Sequence, residues 1–206
     1  MSPKKLCNYI EGRSNGSNLA EQFRSEKESL LSWSQENDIL YSAETFSELQ
    51  AGEEQYLGGG NEHDVYYDEI LGRVVKVTKL PELNNQTDFN THWNFGAQGS
   101  LSAYLTNLEN HNKYFGDDIR IEGVLQVGEY LAVISSQPFI LGRKATDSEI
   151  ENWFETIHYQ KGLRPQTFIH ESNTEDIMIF DARPDNVVYS KSGEIIPIDL
   201  QIIVKN

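Results

Sequence analysis

The chain has 206 residues, enough for one domain or for two small lobes around a cleft; its 38% hydrophobic and 11% aromatic content supplies a core and excludes a disordered or low-complexity chain. A formal net charge of -15 repels phosphate backbones and anionic lipid surfaces, so no nucleic-acid partner and no membrane partner is expected, and a phosphate ligand would need a local positive pocket with bound cations. The single cysteine, Cys7, excludes an intrachain disulfide and a thiolate-built metal site, and with no signal-peptide or membrane-length apolar run the expected setting is cytoplasmic.

Residues 1–17 are polar and rich in Gly, Ser and Asn, and are expected to be loose. Leu19, Phe23, Leu30 and Leu31 then recur at helical spacing, with Asn18 and Glu21 as a capping-box pair, which predicts a helix over about 18–36. From residue 53 the period changes. Val65 and Tyr67 alternate with polar neighbours, Leu71-Gly72-Arg73 reads as a turn, and Val74, Val75 and Val77 surround Lys76, predicting a three-stranded meander closed by Pro81. Residues 82–99 read as a long loop. Leu101, Tyr104, Leu105, Leu108 and Phe115 predict a second helix between Ser100 and Gly116. IRIEGVLQV and YLAVISSQPFI read as a strand pair, and Thr146-Asp147 opens a helix with Ile150, Trp153, Phe154 and Ile157 on one face. The tail reads as a strand IMIF and then a hairpin of NVVYS and EIIPIDLQI around Lys191-Ser192-Gly193.

Three segments carry candidate chemistry. Gly58-Gly59-Gly60 lies between two predicted strands, and Lys76 lies on a third. Glycines leave room for a phosphate to approach backbone N–H groups, and a lysine can neutralise it, although the triplet also fits a flexible turn and Lys76 an outward-facing strand residue. Asp181-Ala182-Arg183-Pro184-Asp185-Asn186 precedes a β-branched strand, and Ile196-Pro197-Ile198-Asp199 follows across a tight turn. Phosphoryl transfer needs hard oxygen ligands for Mg²⁺ and a carboxylate to orient the attacking hydroxyl. Asn186 and Asp199 suit the first need and Asp181 the second; Asp181 and Asn186 also suit turn capping. His63, His92, His111, His158 and His170 lack metal-ligand spacing and read as structural or surface residues. Glu62 and His63 follow the glycines and are candidates for ligand contact, while Arg143 and Lys144 read as a solvated turn, with ligand contact as the alternative.

These segments together resemble the protein-kinase superfamily. DARPDNVV stands in the place of the catalytic loop, IPIDLQ resembles the strand leading to the DFG motif, and GGG with VVKV resembles the glycine-rich loop and its partner lysine. EHDVYYD, LGRVVKVT, NKYFGDD, ISSQPFI, DARPDNVV and IPIDLQ, over about residues 28–203, resemble the kinase-like domain of polyvalent proteins from phages and conjugative elements. The resemblance implies an α+β, bilobal fold: an N-terminal helical extension over 1–50, an N-lobe with an antiparallel sheet over 51–136, and a truncated, minimal C-lobe over 137–206. It implies ATP between the lobes, covered by Gly58, Gly59 and Gly60 and held by Lys76. Ser135-Ser136-Gln137-Pro138 would be the hinge, with Ser136 and Gln137 presenting backbone groups to adenine. Asp181 would orient the acceptor, Arg183 would lie near the γ-phosphate, and Asn186 and Asp199 would bind Mg²⁺.

The sequence departs from the kinase pattern at several places. Ile179-Phe180 precede Asp181 where His and Arg are usual, Leu200-Gln201 follow Asp199 where Phe and Gly are usual, and an activation segment is not expected. Glu109 is the candidate partner of Lys76, with a solvated helix face as its alternative. The expected function is transfer of the γ-phosphate of ATP to a hydroxyl on a protein or small molecule. The alternatives are a pseudokinase or nucleotide-sensing module of a mobile-element protein, and a purely structural domain.

Overall fold

The computed structural model describes residues 1–14, 19–49, 56–59, 63–80 and 100–205. The expectations placed on Asn18, Gly60, Glu62, Pro81, the loop over 82–99 and His92 lie outside them. Among the described residues there are five helices and thirteen strands in three sheets, a mixed α+β architecture. The chain divides into two compact units, Met1–Glu109 with Asp118–Phe139, and Asn110–Asp117 with Ile140–Asn206.

The first unit begins with a helix that composition hides. α1 (Pro3–Glu11) has proline in its first turn, where a missing N–H costs nothing. Nine residues are too few for a stable isolated helix, so tertiary packing must hold it. Leu6 and Ile10, four apart on one face, are 0% exposed and join Phe23, Leu30 and Trp33 of α2 (Leu19–Glu36). The expectation of a loose N-terminus is therefore corrected for residues 3–11. α4 (Leu101–Phe115) closes the same core with Leu101, Leu105 and Leu108. Its N-terminus receives a buried acid: Glu26 accepts from the Leu101 N–H at 3.0 Å and from the Ser102 hydroxyl at 2.7 Å, bonds that offset the cost of burying a carboxylate. Ser100 Oγ accepts from the Ala103 N–H, the expected cap.

The six-stranded sheet of this unit contains β1 (Leu40–Ser42), β2 (Tyr56–Gly59), β3 (His63–Asp68), β4 (Arg73–Lys79), β5 (Arg120–Val127) and β6 (Tyr130–Pro138), in the order β1-β5-β6-β4-β3-β2. Strands β2 to β6 pair antiparallel, as expected, whereas β1 adds to β5 in parallel. Neither β1 nor the short α3 (Ala43–Leu49) was anticipated. β1 lies so close to β5 that a Cβ on Gly123 would stand 2.2 Å from the Tyr41 ring.

The second unit holds β7 (Gly142–Lys144), α5 (Asp147–Thr156), β8 (Gln160–Lys161), β9 (Phe168–Glu171), β10 (Asp176–Phe180), β11 (Val187–Ser190), β12 (Ile195–Pro197) and β13 (Gln201–Lys205). They form two sheets, β13-β10-β9-β8 and β12-β11-β7. Thr146 and Glu149 form a capping box on α5, whose Phe154 stacks on Phe168 with ring centroids 4.0 Å apart. The segment EIIPIDLQI, read as one strand, is two strands in different sheets. Pro197 ends β12, and Ile198–Leu200 bend away before β13 pairs with β10. No helix among the described residues is long and apolar enough to cross a membrane.

Ile10→Ala is expected to lower the unfolding free energy by about 2–5 kcal/mol in urea titrations, the usual cost of truncating a fully buried aliphatic side chain. A change within experimental error would mean that α1 is not part of the core.

Candidate functional site

In the second unit the sheets bring together residues distant in sequence. β10 ends at Phe180, and Asp181 turns the chain out of the sheet with φ 59, a left-handed conformation that aspartate tolerates better than most side chains. Ala182, 2% exposed, plugs the core and donates its N–H to Gln166 O at 3.1 Å. Pro184–Asn186 then make one 3₁₀ turn, which proline suits at its first position. This turn carries Asn186 inward.

Asn186 is 5% exposed, and its amide nitrogen donates to Asp181 twice, to the backbone oxygen at 2.9 Å and to Oδ2 at 2.8 Å. Its backbone oxygen accepts from the Ile198 N–H at 2.9 Å. That bond continues the β11–β12 pairing, in which Val187 faces Pro197, and sets the bend containing Asp199 beside the loop containing Asp181. Asp199 is exposed in this bend. Arg183 Nε lies 3.3 Å from Asp181 Oδ1. Four sequence candidates, Asp181, Arg183, Asn186 and Asp199, therefore share one loop cluster.

The cluster suits hard-cation chemistry. With its nitrogen donated to Asp181, Asn186 turns Oδ1 the other way, and Asp199 offers a carboxylate. Among the described residues no three or more His, Cys, Asp or Glu side chains gather as a metal cage. A ligand-poor pair of oxygens is the arrangement Mg²⁺ takes when water and phosphate complete its octahedron.

Basic side chains around the cluster are matched with acids. Lys144 pairs with Asp185, holding that carboxyl below its usual range. Arg143 forks onto Glu149 at 2.8 and 2.6 Å, and lies over the Tyr189 ring. Arg143, with the Thr146 N–H next, lowers the Glu149 pKa to about 2.

The remaining candidates lie in the first unit. Lys76 is half-buried on β4, opposite Val65 and Ser135. Gly58 has φ +139, a conformation other residues rarely adopt, beside a register shift in β2. A Cβ on Gly59 would stand 2.6 Å from Asp64 Oδ1 and from the Tyr56 hydroxyl. Ser136 and Gln137 are buried within β6. Ser136 Oγ accepts from Arg73 Nε at 2.8 Å and donates to Glu122 at 2.5 Å, so its hydroxyl serves the sheet. The boundary between the units falls after Phe139. His63 Nδ1 lies 2.9 Å from Thr78 Oγ1, and Glu109 is half-buried on α4.

One residue set aside in sequence sits beside the cluster. His111 on α4 is 2% exposed, with Nδ1 2.5 Å from Asp117 Oδ2 and Nε2 in contact with the backbone of Leu200, the residue after Asp199. Its signal in sequence was position: it stands three residues past Leu108 and four before Phe115, on the apolar stripe, where an imidazole must find partners.

Comparison with known proteins agrees with the sequence resemblance. The model of the family Kinase-PolyVal, described as serine/threonine/tyrosine kinase found in polyvalent proteins, matches residues 24–206. No curated protein matches significantly.

The Arg143–Glu149 pair generates a pH prediction. Because the folded pKa of Glu149 is depressed from 4.5 to about 2, its contribution to stability is complete above pH 4.5 and fades as pH falls towards 2. Arg143→Met is expected to flatten the fall of Tm across that window and to leave the slope between pH 6 and 8 unchanged. Parallel acid limbs for the two proteins would contradict the pairing.

Proposed function

The chain belongs to the Kinase-PolyVal family of serine/threonine/tyrosine kinases, and on that premise we propose that it transfers the γ-phosphate of ATP to a hydroxyl acceptor at the Asp181–Asn186–Asp199 cluster. A kinase-like phosphotransferase is the activity the family carries. The observation that supports this cluster as its centre is the pair of hydrogen bonds from the Asn186 amide to Asp181, combined with the Ile198–Asn186 backbone hydrogen bond.

In this reading Asp181 orients the acceptor hydroxyl and takes its proton as the new oxygen–phosphorus bond forms. The bond from the γ-phosphorus to the bridging oxygen breaks, and ADP leaves with that electron pair. Arg183 lies beside Asp181 and offers positive charge to the transferring group. Asn186 Oδ1 and Asp199 would hold Mg²⁺. Bound there, Mg²⁺ supplies neutralising charge for the phosphate oxygens. Lys76, with Gly58, Gly59 and Gly60, serves the nucleotide phosphates, and backbone groups near Ser136 and Gln137 serve adenine. The acceptor is a hydroxyl of a protein or of a small molecule.

ADP formation from ATP and Mg²⁺ tests the proposal. Asp181→Ala is expected to slow turnover by about 10²–10⁴-fold, the range for loss of a positioned general base. Asp199→Ala is expected to abolish the dependence on Mg²⁺, and Lys76→Ala to raise KM for ATP. Equal rates for wild type and Asp199→Ala would remove the transfer reaction; nucleotide binding without turnover would then leave the nucleotide-sensing alternative.

A further inference from the structure

The bend that carries Asp199 belongs to neither adjoining sheet, so its conformation must be fixed from outside. On the N-terminal side, the Ile198 N–H is held by Asn186 O at 2.9 Å. On the C-terminal side, His111 Nε2 lies 3.1 Å from Leu200 N and 2.9 Å from Leu200 O. The preceding residue, Asn110, donates its amide to Ile202 O at 3.2 Å. Two consecutive residues of α4 thus grip the backbone immediately after Asp199.

His111 is itself fixed. Its Nδ1 lies 2.5 Å from Asp117, whose side chain is 8% exposed, and its ring meets the Phe115 ring edge-on with centroids 6.0 Å apart. The contact of Nδ1 with Asp117 fixes the ring and turns Nε2 onto the Leu200 backbone, 3.1 Å from its nitrogen and 2.9 Å from its oxygen. A buried carboxylate–imidazole pair is a costly way to hold one backbone amide, because both groups must be desolvated. An apolar side chain could fill the same stripe on α4 without that cost, but it could not orient the bend.

We infer that His111, oriented by Asp117, is a positioning residue for the metal-binding carboxylate of Asp199. It touches neither substrate nor metal; it acts through the backbone at Leu200. The inference rests on the proposed role of Asp199 as an Mg²⁺ ligand.

Calorimetric titration of ADP into the full chain, with and without Mg²⁺, tests it. The readout is the ratio of the two dissociation constants. His111→Leu is expected to lower that ratio about tenfold, the lower end of the range for residues that orient a metal ligand, while Kd for metal-free ADP stays unchanged. His111→Gln, whose amide oxygen can accept the Leu200 N–H, is expected to recover most of the ratio. Asp117→Asn keeps the volume but weakens the hold on Nδ1, and is expected to fall between; it reads the same quantity should His111→Leu fail to fold. A wild-type ratio in these variants, alongside a ratio abolished in Asp199→Ala, would overturn the positioning role alone. An equal loss of metal-free affinity would also overturn it, as a general structural effect. A wild-type protein whose ADP affinity ignores Mg²⁺ would remove the metal-ligand reading and the inference with it.

Discussion

Asn186 is where the two polar loops of the second unit become one. Its side-chain nitrogen is spent on Asp181, and its backbone oxygen is spent on Ile198. These three bonds are made by a residue that is almost wholly buried, where unmade hydrogen bonds are expensive. The left-handed turn at Asp181 and the proline-led 3₁₀ turn are the backbone changes that bring the amide into place. Removing this side chain would take both of its hydrogen bonds from Asp181 and leave the backbone bond to Ile198 in place.

The surrounding apolar packing explains why such a small polar cluster can be rigid. Ile179 before the loop, Val187 after it and Leu200 beyond the bend are each within 1% of full burial in the same core. Each polar segment is therefore pinned at its ends by a side chain that packing holds. His111 and Asp117 add a polar pin to an apolar anchor at Leu200. Rigid elements carrying short polar loops are the general means by which proteins hold reactive groups to fine tolerance.

Charge fits the same reading. The chain carries an excess of acid, and in the second unit Arg143, Lys144 and Arg183 each face a carboxylate. Positive charge beside the loop is thus already matched by neighbouring acids. In the proposed reaction Arg183 is shared with Asp181, so most of the neutralisation of a polyphosphate would fall to a divalent cation held by the oxygens of Asn186 and Asp199.

Local pattern was enough for much of the chain. Helical spacing gave α2, α4 and α5; alternation and turn residues gave β3 to β6; and the order of EHDVYYD, VVKV, DARPDNVV and IPIDLQ led to the family that the match over residues 24–206 shows. The Asp181-to-Asn186 spacing marked its loop because proline and capping residues act within a few positions of themselves. Tertiary structure alone decided the rest. α1 is too short to announce itself and exists through burial of Leu6 and Ile10. β1, β8 and β9 are two to four residues long and owe their form to the strands beside them. The break at Ile198–Leu200, and the histidine that grips it from 89 positions away along the chain, depend on contacts between distant segments, which no local period encodes.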